Sequence, residues 1–197
     1  SKQVRITDNA HLIAGEKTST KENPYGGSNL SFSGTDATST GQGELYMLSG
    51  SNLELYDSFL LHKISGSSTD PFRNFWYGSV TAKRSSFENW YQIRFENATN
   101  TLEDVVFTNM GQGFYPAVSQ GASTTFQTIK SRKLNEAGLY ATGTASFNVN
   151  DLLIDEASTT DIYVSNYNAT ATLVNSNLNW TSMSWNGTGT GQVLRVY

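Results

Sequence analysis

The stretch Ala137-Gly-Leu-Tyr-Ala-Thr-Gly-Thr-Ala-Ser-Phe-Asn-Val-Asn-Asp-Leu-Leu-Ile154 decides how this chain folds. Leu139-Tyr140-Ala141 alternates aliphatic and phenolic side chains, as a strand with one buried face does. Further on, Phe147 is answered five positions later by Leu152. Both signals recur. Ala82–Phe87, Leu102–Phe107, Phe126–Ser131, Phe147–Leu152 and Leu173–Leu178 repeat the second one, with starts 20, 24, 21 and 26 residues apart. Trp90-Tyr91, Phe114-Tyr115, Leu139-Tyr140 and Ile162-Tyr163 repeat the first, their tyrosines 24, 25 and 23 residues apart.

Outward from these ladders the chain reads as all-β. No window of a dozen residues holds an apolar i, i+3, i+4, i+7 stripe, whereas short alternating or β-branched runs are frequent. Leu53 to Leu61, Ser79 to Lys83, Thr101 to Thr108, Thr124 to Ile129, Ala145 to Ile154, Asp161 to Ser165 and Ala169 to Leu178 are the predicted strands. Two interleaved ladders of one mean period, about two dozen residues, suit strands stacked coil upon coil better than a sandwich with its irregular strand spacing. Gly113, Gly121, Gly138, Gly143 and Gly187 are expected at the turns, where φ > 0 favours glycine.

The run from Ala137 to Ile154, and the next from Asp161-Ile-Tyr-Val through Ala171 to Leu178, resemble coils of the right-handed parallel β-helix superfamily, the pectate-lyase-like solenoids. The resemblance covers about two-thirds of the chain and implies a solenoid of about 24 residues per coil. Residues 45–197 are the expected coils, and 1–44, less regular, an irregular N-terminal cap with the first strands. Ser65 to Arg73 reads as a turn expanded out of one coil.

Composition sets the outer bounds. With 197 residues, no cysteine and a net charge of −4, the chain is long enough for one core without disulfides. Charged residues make up 15%, so solubility rests on 24 Ser, 23 Thr and 18 Asn. The absence of a basic run argues against nucleic acid, and no apolar stretch is long enough for a helical membrane span. This bias suggests an extracellular or cell-surface protein. The start at Ser1 and the strand-like Gly191 to Tyr197 suggest a module cut from a longer one.

The superfamily's enzymes imply residues to seek. Its hydrolases carry Asn-x-Asp, Asp-Asp, Gly-His-Gly and Arg-x-Lys signatures; the sequence has no Asp-Asp, and His11 and His62 lie outside any Gly-His-Gly. Its lyases need calcium-binding acids and a basic residue. Lys83 and Arg84 with Asp104 come nearest, and an exposed salt bridge between neighbouring coils explains them more simply. Asp151, Asp155, Glu156 and Asp161 are the densest acids, but a linear list does not establish convergence, so calcium stays unsupported. No catalytic residue, metal site or cofactor is assigned.

The candidate ligand-binding residues are therefore aromatic. Tyr115, Tyr140 and Tyr163 are expected to stack outside three consecutive coils, as rigid faces for sugar rings or a protein partner. Trp76, within the knot Phe72 to Tyr77, and Trp90 with Tyr91 form a second candidate, with core packing as the alternative for each. Of five Asn-x-Ser/Thr sequons, Asn97, Asn168 and Asn186 have turn-like surroundings that would accommodate a glycan. The expected function is that of a non-catalytic extracellular β-helix module with a structural, adhesive or glycan-binding role. The alternatives are a polysaccharide lyase or glycoside hydrolase, and a surface-layer or filament subunit.

Overall fold

The computed structural model describes residues 4–7, 9–18, 27–32, 45–62, 73–90, 92–96, 100–110, 113–115, 124–134, 137–143, 146–157, 160–167, 170–177, 181, 183–186 and 193–197. Its strands are β1 (Val4–Ile6), β2 (His11–Ala14), β3 (Asn29–Phe32), β4 (Leu45–Met47), β5 (Asn52–Tyr56), β6 (Phe59–His62), β7 (Arg73–Trp76), β8 (Ser79–Lys83), β9 (Ser86–Glu88) and β10 (Gln92–Phe95). They continue with β11 (Thr101–Thr108), β12 (Gly113–Tyr115), β13 (Thr124–Leu134), β14 (Ala137–Gly143), β15 (Phe147–Asn150), β16 (Leu153–Ala157), β17 (Thr160–Tyr167), β18 (Thr170–Val174), β19 (Met183–Asn186) and β20 (Val193–Val196). The described residues contain no α-helix.

Every strand pairing described is parallel. An 8-stranded sheet runs β1-β4-β7-β10-β12-β14-β17-β19. A 12-stranded sheet runs β2-β5-β8-β11-β13-β15-β18-β20, with β3, β6, β9 and β16 attached. The chain thus visits one sheet and then the other, and every strand before β16 pairs with one a few elements later. β1, β2 and β3 pair in register with β4, β5 and β6, so these first strands join the same ladders as the strands after residue 44.

The spacing of five has a geometric cause. In a straight strand two residues an odd number apart face opposite sides, so both can be buried only if the chain bends between them. Asp57, Arg84, Asp104, Asp151 and Asn175 supply that bend, with φ of 48°, 48°, 52°, 53° and 51°. Asp57, Arg84, Asp104 and Asp151 follow the same order: an inward residue, an outward one, the left-handed residue, and then inward residues again. Leu55, Ser58 and Leu60 are buried around Asp57, as are Leu102, Val105 and Phe107 around Asp104. Asn89 and Asn109 make a second bend, with Asn109 Nδ2 donating to Asn89 Oδ1 at 2.6 Å. Asn and Asp enter the left-handed region more readily than other side-chain-bearing residues. The glycine expectation is corrected accordingly: Gly113, Gly138 and Gly143 lie within strands, and Gly121 and Gly187 fall outside the described residues.

Register also corrects one member of the repeat. Phe126 pairs with Val149, not Phe147, and Ser131 pairs with Ile154, not Leu152. A slip of two keeps every side chain on its face, so hydrophobic pattern alone could not detect it. The row in register is Leu55, Ala82, Leu102, Phe126, Val149 and Leu173, of which Leu55, Ala82, Leu102, Val149 and Leu173 are buried. The core between the two sheets is aromatic at its centre. Phe87 stacks on Phe107 at 5.1 Å and 12°, and Trp76 meets Phe87 and Phe95 at 5.9 and 5.7 Å.

Polar groups within this core are matched. Ser85 Oγ accepts the Ser58 amide at 3.1 Å, Ser58 Oγ accepts the Ser28 amide at 3.3 Å, and Asn100 Oδ1 accepts the Val80 amide at 3.0 Å. Buried donors that would otherwise cost about 1–3 kcal/mol each are thereby satisfied.

Candidate functional site

The outer face of the 8-stranded sheet carries one continuous row. Arg5 pairs with Tyr46, Phe75 with Arg94, Arg94 with Tyr115, Tyr140 with Tyr163, and Tyr163 with Ser184. Met47 opposite Trp76 joins Tyr46 to Phe75, and Phe114 opposite Leu139 joins Tyr115 to Tyr140. The row therefore reads Arg5, Tyr46, Phe75, Arg94, Tyr115, Tyr140, Tyr163, with successive members about 4.8 Å apart.

Alternation places its described side chains, those of Arg5, Tyr46, Arg94 and Tyr163, outside. Leu45, Met47, Trp76, Ile93, Phe95, Leu139, Ile162 and Val164, which flank its members, are all buried. Arg5 is exposed, whereas Tyr46, Arg94 and Tyr163 are half-buried. The Arg5 guanidinium lies 5.8 Å from the Tyr46 ring centroid, a cation–π contact worth about 0.5–1 kcal/mol at such a site. Arg94 Nε lies 3.0 Å from Glu96 Oε1, so this cation is held within the row by a buried carboxylate. Tyr77, 39% exposed, stands next to it, its phenol pushed up by burial first and then by Glu96 and Tyr46.

Three members of the row are tyrosines expected from the sequence, and the other four are not. Tyr115, Tyr140 and Tyr163 fall on consecutive strands of the row, with only the backbone described for the first two. Trp90-Tyr91 is not the preceding member, because Ile93-Arg94 takes that register, and Tyr91 lies outside the described residues. Arginine at the Tyr position hid the continuation toward Phe75, Tyr46 and Arg5.

No family model, curated protein or solved structure matches this chain. Its chemistry must be read from its own side chains.

Trp76 and Trp90 belong to the interior, not to a ligand face. Both are 0% exposed, and their indole N–H groups donate to Leu45 O at 2.9 Å and Leu60 O at 3.1 Å. Trp90 also meets Phe32 edge-on at 5.2 Å. Among the sequon residues, Asn97 and Asn168 lie outside the described residues, and Asn186 ends β19 with its side chain undescribed.

The basic candidates pair differently from expectation. Arg84 turns back to Asp57, with Nε and Nη2 donating at 2.8 and 3.0 Å. That hydrogen-bonded partner holds the guanidinium pKa above its usual value, with the Asp57, Glu103 and Asp104 charges assisting against burial. Lys83 pairs with Glu103 at 2.8 Å. Asp151 accepts from Asn175 Nδ2 at 3.1 Å, and the side chains of Asp155 and Glu156 are not described. Among the described residues no three His, Asp or Glu converge as metal ligands.

A separate polar knot fixes the first rows of the 12-stranded sheet. Glu54 accepts from Tyr56 OH at 2.6 Å and meets His11 Nε2 at 2.9 Å and Lys17 Nζ at 3.4 Å. The Tyr56 hydrogen bond lowers the Glu54 pKa, and Lys17 and His11 reinforce it against desolvation. Burial, then Glu54, pushes Tyr56 up to about 12.

The unfolded chain ionises this phenol near 10 and the folded chain only near 12, so its contribution is complete below pH 10 and lost as pH rises between the two. A rise of that size corresponds to about 2–3 kcal/mol. Glu54 contributes in the opposite sense, above its ordinary value of 4.5, and loses its contribution as pH falls below it. Tyr56→Phe is expected to flatten the alkaline loss, measured as urea stability at pH 9 and at pH 11.5. An unchanged slope would show that other groups carry it.

Proposed function

We propose that this chain is a stretch of right-handed parallel β-helix, displayed outside the cell or on its surface, that holds an extended glycan along the arginine–aromatic row without catalysis. The observation that carries the reading is the length of the row, seven consecutive register positions each occupied by an arginine or an aromatic residue. Aromatic and guanidinium planes suit the apolar faces of sugar rings, and the polar edges of Tyr and Arg suit their hydroxyls. The solenoid part of the reading rests on the all-parallel pairing and on the repeated visit to each sheet in turn. A rigid rod of this kind presents the same group at a fixed pitch, which matches a polymeric ligand.

Binding to a broad polysaccharide panel, with product formation followed in the same wells, tests the reading. Retention of a glycan without product is expected. Tyr46→Ala and Tyr163→Ala should each weaken it up to about tenfold, the equivalent of a stacking contact of about 0.5–1.5 kcal/mol. Released unsaturated or reducing ends would favour a lyase or hydrolase instead. Binding that survives both substitutions would remove the row from the site.

A further inference from the structure

The outer face of the 12-stranded sheet bears a second row of a different chemical kind. Thr81 pairs with Thr101, Thr101 with Thr125, Thr125 with Asn148, and Asn148 with Thr172. Five consecutive strands thus present a short uncharged polar residue at one register position, and four of the five are threonine. Thr101 is exposed; Thr81, Asn148 and Thr172 are half-buried. The neighbouring row, two residues along each strand, continues Lys83, Glu103, Gln127, Asn150. Its two charges neutralise one another across adjacent strands at 2.8 Å. Glu54 and Arg195 bound the Thr row at its ends.

We propose that this face binds ice. Rows of a parallel sheet repeat at about 4.8 Å, and outward residues along a strand at about 6.7 Å. The first distance is close to the hexagonal repeat of water oxygens in ice, so successive Thr hydroxyls can occupy successive lattice positions. A single hydroxyl gains almost nothing by exchanging liquid water for ice. Adsorption therefore requires many such groups held in place beforehand, so that little entropy remains to be lost. β-branched Thr meets that requirement through its restricted χ1, and strand pairing fixes its backbone. Its methyl group displaces loosely held water, whereas an unpaired charge would retain its hydration shell. A neutral lattice needs no charge complement, and the Thr row offers none between its ends.

Ice recrystallisation in sucrose and thermal hysteresis of the full chain test this, with lysozyme at equal concentration as the control. Slowed grain growth and a hysteresis gap are expected, both abolished by Thr101→Lys with Thr172→Lys and both retained by Tyr163→Ala. Far-UV circular dichroism verifies the fold of each variant, and Thr172→Lys alone serves if the double variant does not fold. A parent chain behaving like lysozyme overturns the proposal, and so does activity that survives lysine in a folded variant. Because Tyr163 belongs to the other sheet, loss of glycan binding and loss of ice binding are read separately.

Discussion

Replacing Trp76 with alanine is expected to remove about 3–5 kcal/mol of folding stability, the range for deleting a large buried ring. The ring is 0% exposed and lies against Phe87 at 5.9 Å and Phe95 at 5.7 Å. Phe87 in turn stacks on Phe107, and Phe95 meets Phe107 at 6.5 Å. Trp76 and Phe95 belong to the 8-stranded sheet, Phe87 and Phe107 to the 12-stranded one, so this cluster joins the two. Trp76→Phe separates packing from hydrogen bonding. It keeps most of the ring contact but leaves Leu45 O without its indole donor, an expected cost of about 1–2 kcal/mol. Urea unfolding at neutral pH measures both. A loss below about 1 kcal/mol for Trp76→Ala would place the ring outside the packed interior. Tyr163→Ala, on the outer row, is the counterpart: a small loss of stability is expected, and, under the proposed function, a weakened hold on glycan.

The contrast between Trp76 and Tyr163 shows where sequence was informative. Alternation is a local property, so Leu139-Tyr140-Ala141 and Ile162-Tyr163-Val164 state which side chain faces in before any partner strand is known. The all-β class and the strands Ser79 to Lys83 and Thr101 to Thr108 were legible for the same reason. Register was not. Phe147 and Val149 share a face, and only the hydrogen-bonded pairing with Phe126 distinguishes them. A separate misplacement, of three residues rather than two, put Trp90-Tyr91 where Ile93-Arg94 belongs, which removed Arg94 from the row and with it the path to Phe75, Tyr46 and Arg5. Trp76 could not be assigned in advance because an indole suits a core and a sugar platform equally. Its environment decides, and that environment comes from residues up to 31 positions away. The bends carried a usable signal that glycine obscured: at Asp57, Asp104, Asp151 and Asn175 an Asx residue stands two places after an inward apolar one.

Where glycine is required, the reason is space as well as φ, and two substitutions separate them. Gly15 has φ of 88°, and a Cβ built on it would lie 1.8 Å from Tyr56 O and 2.9 Å from Ser58 Oγ. Neither neighbour can yield cheaply. Ser58 Oγ shares its proton between Ala14 O at 3.0 Å and Tyr56 O at 2.8 Å, which ties the bend after β2 to the bend after β5. Gly50 has nearly the same φ, 85°, yet its Cβ would meet only Asn9 Oδ1 at 3.0 Å, the movable end of a side chain. Gly50→Ala is therefore expected to cost about 1 kcal/mol, the conformational penalty alone. Gly15→Ala should cost on the order of 3 kcal/mol or more, because backbone strain is joined by displacement of a hydrogen-bonded carbonyl. Urea midpoints of the two variants, beside Glu16→Ala as an exposed control, make the comparison. Equal losses at Gly15 and Gly50 would mean that φ alone sets the requirement. A larger loss at Gly15 would mean that the close approach of successive strands at the bend is what excludes every other residue there.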